Sequence, residues 1–165
     1  MADTFSFDVV SDFDRQEVVN VLDQTRREVQ TRYDLKDSKT EITLEANKIT
    51  INTDSDYHLT AIKDIIQSKA VKRGLSLKVF KFGKSEPASG GRVRQVVDLQ
   101  KGLSEELAKS LVKDLKANFP KVQAQIQGDA LRIVSKSKDD LQRVIQHLRR
   151  KEDELPVALQ FVNYR

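Results

Sequence analysis

The chain has 165 residues, no cysteine and a formal net charge of +4, with 33% of its residues charged and 38% hydrophobic. The absence of cysteine excludes disulfides and thiolate metal sites, and it favours a reducing compartment such as the cytoplasm. No apolar run approaches the roughly 18 residues that a membrane span needs, and the first residues lack the regions of a signal peptide. We therefore expect a cytoplasmic protein with no membrane partner.

The first half of the chain predicts the order strand, helix, strand, strand, helix, strand. Alternating apolar residues predict strands, and apolar residues at helical spacing predict helices. Apolar stripes run from Val18 to Tyr33 in the first helix and from Leu59 to Ala70 in the second. The strands are expected at residues 4–10, 40–45, 48–52 and 76–82.

The second half predicts the same order after a segment that resembles a linker. Residues 83–91 are rich in Gly, Ser and Pro and have no apolar period, which is typical of a linker or long loop. Two helices follow, with apolar stripes from Leu107 to Phe119 and from Leu141 to Leu148. The strands are expected at residues 92–99, 122–127, 130–135 and 157–164.

A constant offset relates the two halves. Ile49 matches Leu131 and Leu59 matches Leu141, each pair being 82 residues apart in the sequence. Shared elements in the same order at one offset indicate an internal duplication. The sequence therefore predicts an α+β protein with two ferredoxin-like βαββαβ units, each with an antiparallel sheet.

The chain contains no pattern that is typical of a catalytic centre. The two histidines, His58 and His147, lie on separate helices and cannot form the ligand cluster that zinc needs. The sequence has no nucleophile elbow, no P-loop and no H-E-x-x-H motif. We expect neither enzymatic activity nor a cofactor or metal ion.

The charge is unevenly distributed along the chain. Residues 84–165 contain 16 Lys/Arg and 11 Asp/Glu, whereas residues 1–83 contain 13 and 14. Such a bias is consistent with an anionic partner, either a nucleotide or RNA, although solvated basic helix ends would produce the same composition. An RNA recognition motif would also need aromatic residues on its third strand, and residues 48–52 and 130–134 have none. RNA binding would have to depend on charge, amides and loops.

A row of amide side chains is the most unusual local pattern. Apolar residues that alternate with Gln123, Gln125 and Gln127 are expected to face the helices, so the three amides share the other sheet face. The same alternation adds Arg132 and Gln160 to that face. Amides with an arginine can contact base edges and phosphates, but a solvated polar face remains an equal alternative.

Seven runs distributed over nearly the whole chain carry a family resemblance. They are residues 5–10 (FSFDVV), 31–36 (TRYDLK), 72–74 (KRG), 94–95 (RQ), 121–129 (KVQAQIQGD), 139–142 (DDLQ) and 159–165 (LQFVNYR). Together they resemble the YajQ family of bacterial nucleotide-binding proteins. One departure is Asp37, where the family usually has glycine.

The resemblance implies two ferredoxin-like domains that exchange their first strands. One domain would comprise residues 11–83 with the strand 92–99, the other residues 1–10 with 100–165, and residues 84–91 would link them. It also implies a binding protein, with cyclic di-GMP, GTP and RNA among the ligands proposed for the family, and it implies no catalytic residues.

We therefore expect a non-enzymatic protein that binds cyclic di-GMP or a related nucleotide and acts through a partner such as a transcription regulator. The alternatives are an RNA-associated protein, for example one that binds tRNA through the basic second half, and an adaptor that binds only protein. The candidate ligand-binding residues are the polar positions within the matched runs, together with Arg132: Arg32, Lys36, Arg73, Arg94, Gln95, Lys121, Gln123, Gln125, Gln127, Arg132, Gln160 and Arg165.

Overall fold

The computed structural model describes residues 3–165, which divide into two compact units. The continuous unit is Phe13–Gln100, and the discontinuous unit combines the residues up to Asp12 with Lys101–Arg165. In chain order the elements are β1 (Phe5–Val10), α1 (Arg15–Thr31), β2 (Glu41–Glu45), β3 (Lys48–Thr53), α2 (Asp56–Lys72), β4 (Phe80–Phe82), β5 (Glu86–Ala88), β6 (Arg92–Leu99), α3 (Glu105–Asn118), β7 (Gln123–Gln127), β8 (Ala130–Ser135), α4 (Lys138–Lys151) and β9 (Gln160–Val162).

Each unit packs two helices against one antiparallel sheet, which confirms the predicted α+β class and the duplication. The discontinuous unit has the strand order β7-β8-β1-β9 and the helices α3 and α4. The continuous unit has the order β2-β3-β6-β4, with β5 also paired to β6, and the helices α1 and α2. We call the sheet surface opposite a unit's own helices its helix-free face.

The four helices begin at side chains that cap their free backbone N–H groups. The capping residues are Asp14, Ser55, Ser104 and Ser137, and each accepts a hydrogen bond from a backbone N–H of the first turn. Such a cap contributes about 1 kcal/mol to helix stability. At the other end, α2 stops before Gly74, whose φ of 79° suits glycine. Within residues 3–165, none of the helices combines the length and the apolar composition needed to cross a bilayer.

A separate hydrophobic core lies between the helices and the sheet of each unit. Every Leu, Ile, Val or Phe that is fully buried in these cores stabilises its unit by about 1.5–3 kcal/mol. Residues with almost no exposure in the continuous unit are Val18, Leu22, Ile49, Ile51, Ile62, Ile66 and Val97. Those in the discontinuous unit are Phe7, Val9, Leu111, Leu115, Leu131, Ile133, Val144 and Leu148.

The first strand of each half lies in the middle of the other half's sheet. Strand β1 pairs with β8 on one side and with β9 on the other, and β6 pairs with β3 and with β4. The strand exchange that the family resemblance implies is therefore present in these pairings. Because a central strand satisfies hydrogen bonds at both of its edges, neither sheet is continuous without it.

The segment predicted as a linker is an ordered part of the continuous unit. Glu86–Ala88 forms β5 and pairs with residues 92–94 of β6, and Ser89–Gly91 forms the tight turn between them. Gly90 and Gly91 have φ values of 75° and 74°, a conformation that glycine adopts without strain. Pro87 is tolerated because β5 is an edge strand. The predictions of eight strands and of a linker or long loop at residues 83–91 are therefore wrong, because a composition rich in Gly, Ser and Pro also suits a tight hairpin.

Two other predicted strands are shorter than expected. The segment 76–82 begins with a 3-10 turn at Leu77–Val79, and only Phe80–Phe82 joins the sheet. The last strand is Gln160–Val162 rather than 157–164, because only these three residues pair with β1. Val157, Ala158 and Leu159 before it are all buried. Beyond β9, Asn163 has a φ of 57° and shifts the pairing by one residue.

Deletion of β6 tests the dependence of the continuous unit on its central strand. A fragment of residues 13–100 contains the whole sheet and is expected to unfold cooperatively, with dispersed amide resonances. A fragment of residues 1–83 lacks the partner of β3 and β4 and is expected to fold poorly. Thermal melts and ¹⁵N-¹H spectra of the two fragments provide the comparison, and a cooperative, native-like 1–83 fragment would contradict it.

Candidate functional site

The structure brings the predicted amide row to the helix-free face of the discontinuous sheet. Gln125 lies opposite Arg132, and Arg132 lies opposite Asp8 on the next strand. Gln160 lies opposite Val10 and accepts a hydrogen bond from the backbone N–H of Asp12 at 2.7 Å. We call this the amide surface, consisting of Gln123, Gln125, Gln127, Arg132 and Gln160.

The charge of Arg132 is already neutralised by a neighbouring carboxylate. Its Nε donates to Oδ1 of Asp8 at 3.1 Å, and Nδ2 of Asn163 donates to Oδ2 at 2.9 Å. The Asp8 side chain is only 13% exposed. Burial alone would raise the pKa of Asp8, but the hydrogen bonds from Arg132 and Asn163 and the charges of Arg132 and Arg165 together lower it. The amide surface therefore offers a ligand mainly neutral hydrogen-bonding groups.

A polar groove lies on the helix-free face of the continuous sheet. Glu41, Asn52, Arg94 and Glu86 form one row across four strands. The groove has a volume of about 580 Å³ and is walled on one side by Pro87, Ala88 and Ser89. We call it the Arg94 groove. Its residues include a cation for phosphate together with an amide and a carboxylate that can contact a base.

Arg92 holds the floor of the Arg94 groove in place. Its Nε donates to Oδ1 of Asn52 at 2.7 Å, its Nη1 to the carbonyl of Ser38 at 3.2 Å and its Nη2 to the carbonyl of Lys39 at 2.6 Å. These bonds tie the loop before β2 to β3 and β6. Arg92 is therefore a positioning residue, and its guanidinium is largely occupied by protein oxygens.

Arg94 is held much less firmly than Arg92. Its Nη2 donates to Oε2 of Glu86 at 2.9 Å, and the two side chains are 49% and 54% exposed. Solvent-exposed ion pairs contribute only about 0–1 kcal/mol. A phosphate could therefore replace Glu86 as the partner of Arg94 at little energetic cost.

Gln95 lies on the core side of β6 rather than in the groove. It is 8% exposed, and its Nε2 donates to the carbonyl of Gly83 at 2.7 Å. Its position excludes direct contact with a ligand in the groove. The bond fixes the chain just before β5. Gln95 therefore supports the wall of the groove from the core side of the sheet.

The predicted cations at helix ends mostly have acidic partners. Arg32 donates to both carboxylate oxygens of Asp34, at 2.8 and 2.9 Å, and this hydrogen bonding is the largest cause that lowers the pKa of Asp34. Arg73 donates to Glu17 at 2.8 and 3.3 Å and lowers the pKa of that carboxyl in the same way. Lys36 instead lies 5.3 Å from the centre of the Tyr33 ring.

The remaining candidates lie beside two depressions in the discontinuous unit. Lys121 and Gln123 line a depression of about 410 Å³. Arg165 lines a pocket of about 340 Å³ together with the aromatic residues Phe5 and Tyr164. The structure therefore distributes the predicted residues over several surfaces and does not bring them into one site.

Sequence reasoning missed Glu41 and Asn52 as groove residues. Their strand alternation was visible, but only the register places Glu41 opposite Asn52 and Asn52 opposite Arg94. The prediction that Tyr33 ends the apolar stripe of the first helix is wrong, because α1 ends at Thr31 and Tyr33 is 88% exposed. The exposed aromatic residues Tyr57 and Tyr164 were not assigned a role.

Both histidines have ordinary structural partners. Nδ1 of His58 lies 2.6 Å from Asp54, and Nε2 of His147 lies 2.7 Å from Asp114. Across residues 3–165, no group of three or more His, Asp or Glu side chains is arranged to hold a metal ion.

Comparisons with known proteins all indicate the same family. A family model described as nucleotide-binding protein YajQ-like matches residues 5–165. A protein of Synechococcus elongatus named as a nucleotide-binding protein is 61% identical over 165 residues, which cover 100% of both chains. Another of that name, from Roseiflexus castenholzii, is 58% identical over 160 residues, or 97% of each chain. The family resemblance drawn from the sequence motifs is confirmed.

Substitution of Arg132 tests its structural role beneath the amide surface. We expect Arg132→Met to lower the free energy of unfolding at pH 7 by about 1–3 kcal/mol, because the largely buried Asp8 loses a charged hydrogen-bond donor. Since the folded-state pKa of Asp8 is lowered, this stabilisation is complete above the ordinary carboxyl range and is lost as the pH falls through the lowered value.

Urea denaturation of the parent and the variant, at neutral and at acidic pH, measures both effects. The control is Arg143→Met, whose side chain is 71% exposed and 3.6 Å from Asp140. It is expected to change stability by less than about 0.5 kcal/mol. A loss for Arg132→Met that is the same at both pH values would contradict the role of Asp8.

Proposed function

Because this chain belongs to the YajQ-like family of nucleotide-binding proteins, we propose that it binds a nucleotide in the Arg94 groove. The observation that carries this assignment is the half-exposed guanidinium of Arg94 within a polar groove of about 580 Å³. Binding is non-enzymatic, and the absence of cysteine favours the cytoplasm as its location.

The exposure of its partner favours Arg94 over Arg132, the arginine of the amide surface. Arg132 would have to leave the buried Asp8 carboxylate with only the neutral Asn163 amide as its hydrogen-bond partner, and a buried carboxylate without a counter-charge carries a large desolvation penalty. Arg94 would leave only Glu86, which is 54% exposed and can be solvated. A charge-assisted hydrogen bond to phosphate contributes about 1.5–3 kcal/mol, more than the exposed pair that it replaces.

The other groove residues match the remaining parts of a nucleotide. Neighbouring strands lie about 4.8 Å apart, so Glu41 and Arg94, two strands apart in one row, have Cα atoms separated by about 10 Å. That separation is comparable to the distance from a nucleotide's phosphate to the far edge of its base. The Glu41 carboxylate can accept two N–H groups, as the guanine edge provides, and the Asn52 amide can donate and accept.

These features favour a guanine nucleotide, and cyclic di-GMP is the specific ligand that we propose, with GTP as the nearest alternative. A protein without catalytic groups would act on a partner once the ligand is bound. A transcription regulator remains our proposed class of partner.

RNA is the second candidate ligand. The division into two units weakens the argument for RNA from charge. Once β1 and β6 are assigned to their sheets, the discontinuous unit contains 13 Lys/Arg and 12 Asp/Glu, and the continuous unit 16 and 13. The basic excess of the second half of the sequence is therefore not concentrated in the discontinuous unit, whose net charge is +1, and the continuous unit has +3. What favours RNA instead is the exposure of Tyr33 and Tyr57, at 88% and 80%, because exposed rings can stack on bases.

Substitution of Arg94 tests the groove. We expect Arg94→Ala to weaken cyclic di-GMP binding about ten- to a hundredfold in calorimetric titration, because it removes a charge-assisted phosphate contact. The control is Gln125→Ala, an exposed position on the amide surface, which is expected to bind like the parent. Melting curves of both variants show whether they remain folded.

Two results would contradict the assignment of the site to the Arg94 groove. If Arg94→Ala stays folded and binds cyclic di-GMP, GTP and a short RNA as tightly as the parent, the groove is not the site. If Gln125→Ala is the variant that weakens binding, the ligand lies on the amide surface instead.

Salt dependence separates a nucleotide from RNA as the ligand. Binding of single-stranded RNA through Z phosphates gives a slope of about −0.7Z in a plot of log affinity against log salt concentration. We expect a shallow slope for cyclic di-GMP, and no short RNA that binds more tightly than it. A steep slope for RNA, together with weaker RNA binding by Tyr33→Ala and Tyr57→Ala, would favour the RNA function.

A further inference from the structure

The discontinuous unit contains a pocket that differs in chemistry from the Arg94 groove. It has a volume of about 340 Å³, which lies at the lower end of the range of roughly 300–1,000 Å³ for small-molecule sites. Its walls are mostly apolar and include Phe5, Leu141, Ile145 and Tyr164. We call it the Tyr164 pocket.

The backbone after β9 places Tyr164 in the wall of this pocket. Asn163 has a φ of 57°, and beyond it the backbones of Ser6 and Arg165 exchange two hydrogen bonds of 3.0 Å. The shift brings the Tyr164 ring to 6.0 Å from the ring of the fully buried Phe7. Tyr164 is thereby anchored to the core on one side while 59% of its surface remains exposed.

Polar groups occur at defined points around the apolar walls. The Lys138 ammonium lies 4.8 Å from the centre of the Phe5 ring, and the exposed amide of Gln142 lies one helical turn further along α4. Arg165 also lines the pocket, and none of the side chains lining it is acidic. The pocket therefore combines aromatic surfaces with positive charge and one amide.

We propose that the Tyr164 pocket is a second binding site, which takes a planar aromatic ring that bears an anionic group. The ring packs between Phe5, Tyr164 and the aliphatic side chains, in the offset or edge arrangements that aromatic pairs favour. The Lys138 ammonium binds the anionic group, and Gln142 can donate to or accept from a ring heteroatom. A neutral aromatic ring would lack the ionic contact with Lys138, and an aliphatic anion would lack the packing against Phe5 and Tyr164.

This site goes beyond the nucleotide groove because it lies in the other unit and shares no residue with it. Two kinds of small molecule have the required chemistry, a nucleoside monophosphate and an aromatic carboxylate. AMP and indole-3-acetate represent them, and adenosine provides the uncharged comparison.

Amide chemical-shift mapping of the full chain tests the proposal. AMP or indole-3-acetate is expected to produce saturable shifts at Phe5, at residues 138–145 and at Tyr164, and adenosine to bind about tenfold more weakly. Lys138→Gln is expected to weaken binding of the charged probes about tenfold, to the level of adenosine. The matched control, Lys116→Gln, changes an exposed lysine on α3 and is expected to have no effect.

Substitution of Tyr164 tests the aromatic wall of the pocket. Because Tyr164 is 59% exposed, Tyr164→Ala is expected to remain folded and to weaken binding of all three probes. Tighter binding of AMP identifies a nucleotide as the occupant, and tighter binding of indole-3-acetate identifies an aromatic carboxylate.

The proposal is overturned if no probe shifts these amides at millimolar concentration, if adenosine binds as tightly as AMP, or if Lys138→Gln has no effect. Arg94→Ala separates the two sites. It is expected to leave the shifts at the Tyr164 pocket unchanged, whether or not it alters cyclic di-GMP binding in the Arg94 groove.

Discussion

Both sheets depend on a central strand that is the first strand of the other half of the duplicated sequence. Val9 of β1 pairs with Leu131 on one side and with Phe161 on the other, and Val97 of β6 pairs with Ile49 and Phe82. These strands supply core residues on one face and site residues on the other. The Asp8–Arg132 pair and the row from Glu41 to Arg94 both exist only because the exchanged strands lie where they do.

The two helix-free faces show how burial decides whether a charge is available. In each sheet an arginine is paired with a carboxylate on a neighbouring strand. Asp8 is 13% exposed, so its pair with Arg132 is maintained by the desolvation penalty of breaking it, whereas Glu86 is 54% exposed and can be solvated alone. The same two residue types therefore form a structural pair in one unit and an exchangeable pair in the other.

Local sequence patterns predicted the helices, most strands and the faces of residues such as Gln160, because alternation and helical period are properties of neighbouring residues. They could not predict which strands meet. Arg132 and Asp8 are 124 positions apart, and Arg92 and Asn52 are 40 apart. The same limit explains why the linker prediction failed, since a Gly- and Pro-rich segment becomes a strand only when an edge such as that of β6 is available.

The buried amide of Gln95 is a physical reason to regard the shape of the Arg94 groove as functionally important. Since Ile49 and Leu131 are equivalent in the duplication, their partners Val97 and Val9 are equivalent too, and Gln95 corresponds to Phe7, two residues earlier. Where one unit fills its core with phenylalanine, the other buries an amide whose Oε1 has no hydrogen-bond partner among the described residues. An unsatisfied buried polar atom costs about 1–3 kcal/mol.

The Gln95 amide offsets this cost by fixing the position of the chain before β5. Nε2 of Gln95 holds the carbonyl of Gly83 at 2.7 Å, and Gly83 lies so close to β6 that a Cβ atom there would be 2.9 Å from the Val96 carbonyl oxygen. Together they fix the chain as it enters β5, the strand that carries the wall of the groove. A sequence selected only for stability would place an apolar residue at position 95. The amide is explained if the shape of the groove matters to what the protein binds.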